Sequence, residues 1–391
     1  MNPVLLATLL ASAMPQDTTA PPWDSLARFL EQSVAARAFP GAVVAVGRHD
    51  TVLYLHAFGR LDYEHGRPVT TRTVYDLASL TKVVGLTFAM MQLVEEGKVG
   101  LDTPAVRYVP AFHDTTITVR RLLTHSSGLP AWRPFWQRVH AREEMFALVD
   151  AEPLEQPPGT KMVYSDLGAM VMTQIVERVT GERLDRYLQA HLFRPLGMRD
   201  TRYLPPASWR SRIAPTEVDT TYRHRLIRGE VHDENAASMG GISGHAGLFS
   251  TAPDLVKFAQ LLLRDGRTDA RTRGRTGMRG HGGTGARGHG GTEAALVDSA
   301  TVAMFTTVQD PALSSRALGW DTPSQGSSAG DLLSRRAFGH TGFTGTSPWI
   351  DPAQDLFVIL LTNRVHPTRE NVQILQVRPR VADLAVEAAR R

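Results

Sequence analysis

Apolar residues recur at every third or fourth position over residues 24–37, the period of an amphipathic helix. The period then shortens. Gly41 to Gly47 (GAVVAVG) and Thr51 to Phe58 read as a pair of strands joined by a polar turn at Arg48-His49-Asp50. Over about 79–96 apolar positions fall on every face, which predicts a helix buried all round. Helical patterns follow over 118–124, 140–150, 166–180, 182–193 and 253–263, punctuated by Pro and Gly. Strand patterns return near 316–321, 336–342, 345–350 and 356–362, and a helix over about 368–389 closes the chain. Strands at both ends with helices between them predict one sheet assembled from both termini, with a helical domain inserted.

Two segments stand outside this pattern. Residues 1–20 read as a signal peptide: a short apolar run too brief to span a bilayer, then Ala11-Ser12-Ala13 as an A-x-A cleavage pattern. No basic residue precedes the run, and a frayed tail is the plain alternative. The expected location is extracytoplasmic, periplasmic or secreted. No later apolar run is long enough to span a membrane, so no stable membrane insertion is expected after cleavage. Residues 264–295 are rich in Arg, Gly and Thr and carry a tandem octad, Thr276 to Gly283 and then Thr284 to Gly291. So little apolar surface cannot offset the entropy of ordering, which predicts a disordered surface-loop insertion. An Arg/Gly-rich tether for a polyanion is the alternative.

The formal charge of +4 owes much to that insertion, so the basic balance does not point to a nucleic-acid partner. There is no cysteine, which excludes disulfides, thiolate catalysis and cysteine metal sites. Lysine is scarce: Lys82, Lys98, Lys161 and Lys257 are the only four. Arginine cannot deprotonate in a protein whereas a desolvated lysine can, so a retained lysine invites a chemical reading. Lys82 is the only charged residue between Leu77 and Met91, and Ser79 lies three positions before it. That spacing puts both on one helix face, one turn apart. Burial disfavours the ammonium form, and a neutral amine within reach of a hydroxyl can activate it as a nucleophile. The plain alternative is a serine N-cap with a snorkelling lysine.

Two further pieces follow in order: Pro158 to Asp166 (PGTKMVYSD) and Gly339-His340-Thr341-Gly342. Together the chain resembles the serine β-lactamase family of class C type, which includes DD-peptidases and related esterases and carries S-x-x-K, Y-x-N and K-T-G or H-x-G in this order. Ile117 to Pro130, Pro195 to Met198 and Gly241 to Thr251 add to the likeness, which covers nearly all of residues 24–390 apart from the insertion. The resemblance implies an α/β (α+β), β-lactamase/transpeptidase-like fold, with an antiparallel sheet flanked by helices. Its sheet lobe would span about 21–78 and 312–391, and its mostly helical lobe about 79–311. It also implies a serine hydrolase that forms an acyl-enzyme on Ser79. Lys82 and Tyr164 would share the proton, and the N–H groups of Ser79 and Phe343 would form the oxyanion hole beside His340, Thr341 and Gly342. The substrate would be a small molecule or a peptidoglycan peptide, with neither metal nor organic cofactor. A carboxylesterase or an inactive penicillin-binding sensor module are the alternatives.

The chain departs from the pattern twice. Asp166 replaces the usual Asn and reads either as a helix N-cap or as a carboxylate that would hold Lys82 charged. His340 replaces the usual Lys and is charged only part of the time near neutral pH. Both weaken recognition of a substrate carboxylate, so small neutral esters are the expected preference. After the last strand, Arg369 lies out of register with the arginine of the class C carboxylate-binding segment, and Thr368 replaces its Asn. Trp132, Phe135 and Trp136 could wall a cleft or belong to the core. His232-Asp233-Glu234 lacks the second helical histidine of a zinc motif. His125 and His245 read as structural.

Overall fold

The computed structural model describes residues 22–64, 66–268 and 295–391. The signal-peptide segment and both octads therefore lie outside the described residues. A five-stranded antiparallel sheet is built from both ends of the chain. Its strands are β1 (Gly41–Gly47), β2 (Val52–Gly59), β3 (Phe338–Gly339), β4 (Ser347–Asp351) and β5 (Leu356–Thr362), in the order β2-β1-β5-β4-β3. β1 pairs with β5 in the register Val44↔Leu360, so the N-terminal hairpin is fused to the C-terminal meander at the centre of the sheet.

The central strands are apolar throughout because both faces of the sheet are covered. Alternate residues point to opposite faces. Ala42, Val44 and Val46 with Val358 and Leu360 pack under α1 (Asp24–Ala35) and the closing helix Ile374–Ala389. Val43 and Ala45 with Phe357, Ile359 and Leu361 pack against the helical bulk of the molecule. The apolar helix after Ser79 is buried as its pattern demanded, but it is not a regular α-helix. Lys82–Thr87 form a π-helical turn before α2 (Phe88–Glu95). Such insertions in helices often mark functional sites.

The strand expected at 316–321 is not there. Its backbone groups go to separate neighbours instead of a ladder: Leu318 N to Phe305 O, Gly319 N to Leu123 O, and Asp321 in a single bridge with Gly339. This loop brings Arg316 to the cleft described below. Among the described residues no helix is long and apolar enough to cross a membrane.

Candidate active site

Ser79 lies at the N-terminal edge of the buried helix, where the chain is drawn tight. Ala78 takes φ 46°, the left-handed region that costs a residue with a Cβ, and its N–H donates to Asp76 Oδ1 at 2.8 Å. Lys82 Nζ donates to Ser79 Oγ at 3.0 Å and to His245 O at 3.1 Å, and lies 2.6 Å from Asp166 Oδ1. The lysine is buried. The expectation that burial makes it a neutral amine is corrected. Burial does pull its pKa down, but the Asp166 carboxylate, with Tyr164 beside it, outweighs that and holds it above the ordinary lysine value. Asp166 is therefore not the helix N-cap. Ser165 fills that position, accepting from Gly168 N at 3.2 Å and leaving the Asp166 carboxylate for the cleft.

Tyr164 is placed by the turn His125 closes. His125 O accepts from Val163 N at 2.8 Å and its Nδ1 accepts from Ser165 N at 3.1 Å, while its ring packs 4.6 Å from that of Tyr164. Two cations face the tyrosine ring: Lys82 Nζ at 4.9 Å from its centre and the Arg316 guanidinium at 5.3 Å. Its hydroxyl is buried without a protein partner among the described residues. His245, read as structural, supplies the carbonyl under Lys82 and pairs through Nε2 with Asp233 at 2.8 Å.

His340 is buried. A carbonyl can only accept, so its Nδ1 carries the proton donated to Thr341 O at 2.8 Å. Its Nε2 then presents a bare lone pair, without a protein partner. Burial first, then Arg316 and Lys82, hold its pKa well below the ordinary value. These influences pull against the part-time cation expected of His340. The positive charge comes from residues the sequence did not point to. Arg316, Arg364 and Arg378 line a cavity of about 480 Å³ together with Ser79, Tyr164, His340, Thr341, Gly342 and Phe343. Arg369, singled out as out of register, lines it as well.

A second cavity, of about 380 Å³, also borders Ser79, with Asp166, Asp233, Glu234 and Trp132 in its wall. Of the three aromatics considered, only Trp132 borders it; Phe135 is core, and Trp136 packs on Tyr222 at 4.7 Å between ring centres. His232, Asp233 and Glu234 point to three different partners: Glu217, His245 and Arg369.

The turn after His340 is stitched to the nucleophile segment. Thr344 Oγ1 donates to Asp76 O at 2.8 Å, and Thr346 Oγ1 to Leu77 O at 3.1 Å. A Cβ on Gly342 would overlap Thr346 Oγ1 and the Leu77 carbonyl, so only glycine allows this approach. Among the described residues neither the Ser79 nor the Phe343 amide donates to a protein acceptor.

A family model described as Beta-lactamase matches residues 26–381. The chain belongs to the beta-lactamase family. Over 378 aligned residues it is 32% identical to a "Putative D-alanyl-D-alanine carboxypeptidase" of Escherichia coli (strain K12), covering 87% of this chain and 81% of that one. It is 34% identical over 380 residues to an N-acetylmuramyl-L-alanine amidase of Bacillus subtilis (strain 168), covering 87% and 80%. Among solved structures it shares its fold with a penicillin-binding protein homolog from Caulobacter crescentus, with TM-score 0.71, 21% identity and coverage of 95% and 97%. EstCE1, a hydrolase with promiscuous acyltransferase activity, matches with TM-score 0.68, 22% identity and coverage of 93% and 98%. This beta-lactamase family member is a serine hydrolase working through an acyl-enzyme, on an amide or ester.

Proposed function

We propose that this beta-lactamase family protein acts outside the cytoplasm on peptides that carry a carboxylate next to the scissile bond, as D-Ala-D-Ala ends of cell-wall peptides do. The observation that carries this reading is the cationic wall of the larger cavity, which Arg316, Arg364 and Arg378 line together with Ser79, Arg369 beside them being paired with Glu217 and Glu234. A negative substrate group gains there what the buried His340 does not offer, and the earlier case for neutral esters loses its premise. The name of the Escherichia coli relative fits the same substrate class, and that of the Bacillus subtilis relative points to a different cell-wall amide.

In this reading Ser79 Oγ attacks the acyl carbonyl. Asp166 raises the pKa of Lys82, which favours Tyr164 over Lys82 as the group that takes the serine proton. Tyr164, reacting as its phenolate, takes it and, as the phenol, returns it to the leaving nitrogen, with Lys82 and Arg316 placed to stabilise the phenolate before and after the transfer. The unbonded amides of Ser79 and Phe343 receive the oxyanion, and water then releases the acyl group. The test compares kcat/KM for p-nitrophenyl acetate, nitrocefin and a D-Ala-D-Ala peptide in wild type and Arg316→Met. The peptide should be preferred, and the variant should lose far more on the peptide than on the acetate. A wild type that prefers the acetate, with the peptide rate indifferent to Arg316, would identify an esterase instead.

A further inference from the structure

Two arginines of the larger cavity are buried without a carboxylate partner among the described residues. Arg378 Nη2 donates to Gly342 O at 2.6 Å and Thr346 O at 3.0 Å, while its Nε has no partner. Arg364 Nε donates to Phe343 O at 2.7 Å, and its Nη1 donates to Arg369 O at 2.8 Å and Asn371 O at 2.9 Å. Burying guanidinium groups against carbonyls alone is costly, since no opposite charge offsets the lost hydration. Where that charge lands suggests what it does. The Gly342 carbonyl and the Phe343 N–H are the two ends of one peptide unit. A cation at the oxygen draws electron density from the nitrogen, so the N–H becomes a stronger donor and its direction is fixed. Arg378 is buried, so at its end of the peptide the effect is weakly screened. The same N–H is one of the two amides near Ser79 that no protein acceptor uses.

We propose that Arg378 is a positioning residue of the oxyanion site, holding and polarising the Gly342–Phe343 peptide so that the Phe343 N–H meets the developing oxyanion, while Arg364 ties down the next peptide by the Phe343 carbonyl. This rests on the acyl-enzyme reading of Ser79. Simple anchoring of the turn is the competing role, and it predicts a different pattern. An anchor lost would disturb substrate binding and stability together. A weakened oxyanion donor lowers kcat and the affinity of transition-state analogues while leaving ground-state binding alone.

The experiment uses the full chain. A fluorescent fluorophosphonate first establishes labelling at Ser79. Steady-state hydrolysis of p-nitrophenyl acetate and inhibition by a phenylboronic acid, whose tetrahedral adduct puts an oxygen in the oxyanion site, are then measured for wild type, Arg378→Gln and Arg378→Lys. The expected result for Arg378→Gln is an unchanged KM, a kcat lower by about 10- to 100-fold, somewhat less than the loss of a whole oxyanion donor, and a boronate Ki raised by the same factor. Arg378→Lys keeps the charge on a side chain of different reach and shape, and should lose less. A kcat that survives in Arg378→Gln, or one that falls while the boronate Ki stays put, overturns the proposal. If the Gln variant does not fold, the Lys variant decides: coupled loss of kcat and boronate affinity supports it, wild-type values overturn it. A wild type that takes no label sinks the Ser79 reading and this one with it. A labelled wild type with indifferent variants sinks this one alone.

Discussion

Asp166 sets the charge of Lys82, and that one contact rearranges the roles expected around Ser79. A lysine that stays protonated acts as a fixed charge, so Lys82→Arg should retain more activity than Lys82→Ala, whereas with a lysine base the two would lose nearly equally. Tyr164→Phe should then cost on the order of 10²–10⁴-fold in kcat, the usual value of general-base help. Both follow from rates measured on one chromogenic ester. Ser79→Ala should abolish turnover and fluorophosphonate labelling alike, and substantial remaining activity would place the nucleophile elsewhere. The pH profile offers a separate check. With Asp166 present the Lys82 pKa lies above the ordinary lysine value, so its charge persists through the alkaline range in which enzymes are assayed. Asp166→Asn removes the strongest upward influence and leaves burial, which works downward. The alkaline fall in kcat should therefore move to lower pH in the variant, and a profile identical to wild type would refute the linkage.

Between elements, the cleft is held by short polar ties from loops to the sheet end. Glu217 is one such tie. It receives Arg369 Nε at 2.8 Å and a hydrogen bond from His232 Nε2 at 2.9 Å. Burial works to raise its pKa, but the hydrogen bonds from His232 and Arg369 outweigh burial and bring it from 4.5 down to about 2. A carboxylate with a depressed folded-state pKa contributes stability above its unfolded pKa and loses it as pH falls through the folded one. Melting temperature should thus drop as pH goes from about 4.5 toward 2, and Glu217→Gln should flatten that part of the curve. Scanning calorimetry of both proteins across that window is the measurement. An equally steep acid limb in the variant would assign the loss to other carboxylates.

For the molecule as a whole, the Arg/Gly-rich insertion is attached at two points that already meet. Arg267 and Ala295 form an antiparallel bridge, and Leu296 N donates to Gly266 O at 2.9 Å. Replacing residues 269–294 with Asn-Gly keeps that bridge and closes it by a short turn. Shortening a loop lowers its closure entropy by about 0.6 kcal/mol per halving, so melting temperature should hold or rise. Activity should be unchanged. A fall in either would show that the insertion packs on the domain or reaches the cleft.

Features that depend on neighbours along the chain were legible in the sequence. The spacing of Ser79 and Lys82 follows from helical geometry over one turn, and the apolar runs at β1 and β5 follow from strands covered on both faces. The ordered triplet of Ser79, Tyr164 and His340 marked the family because each piece is a local motif. Protonation states were legible only as alternatives, Asp166 reading either as a helix N-cap or as a carboxylate that holds Lys82 charged. Lys82 owes its charge to Asp166, 84 positions later in the chain, and His340 owes its lowered pKa to burial, Arg316 and Lys82. The arginines of the cleft come from the loop at 316 and from the segment after the last strand, and no motif binds them to Ser79 in sequence. Electrostatic interaction falls with distance in space and rises with removal from water, and both quantities exist only once the sheet has joined the two ends of the chain.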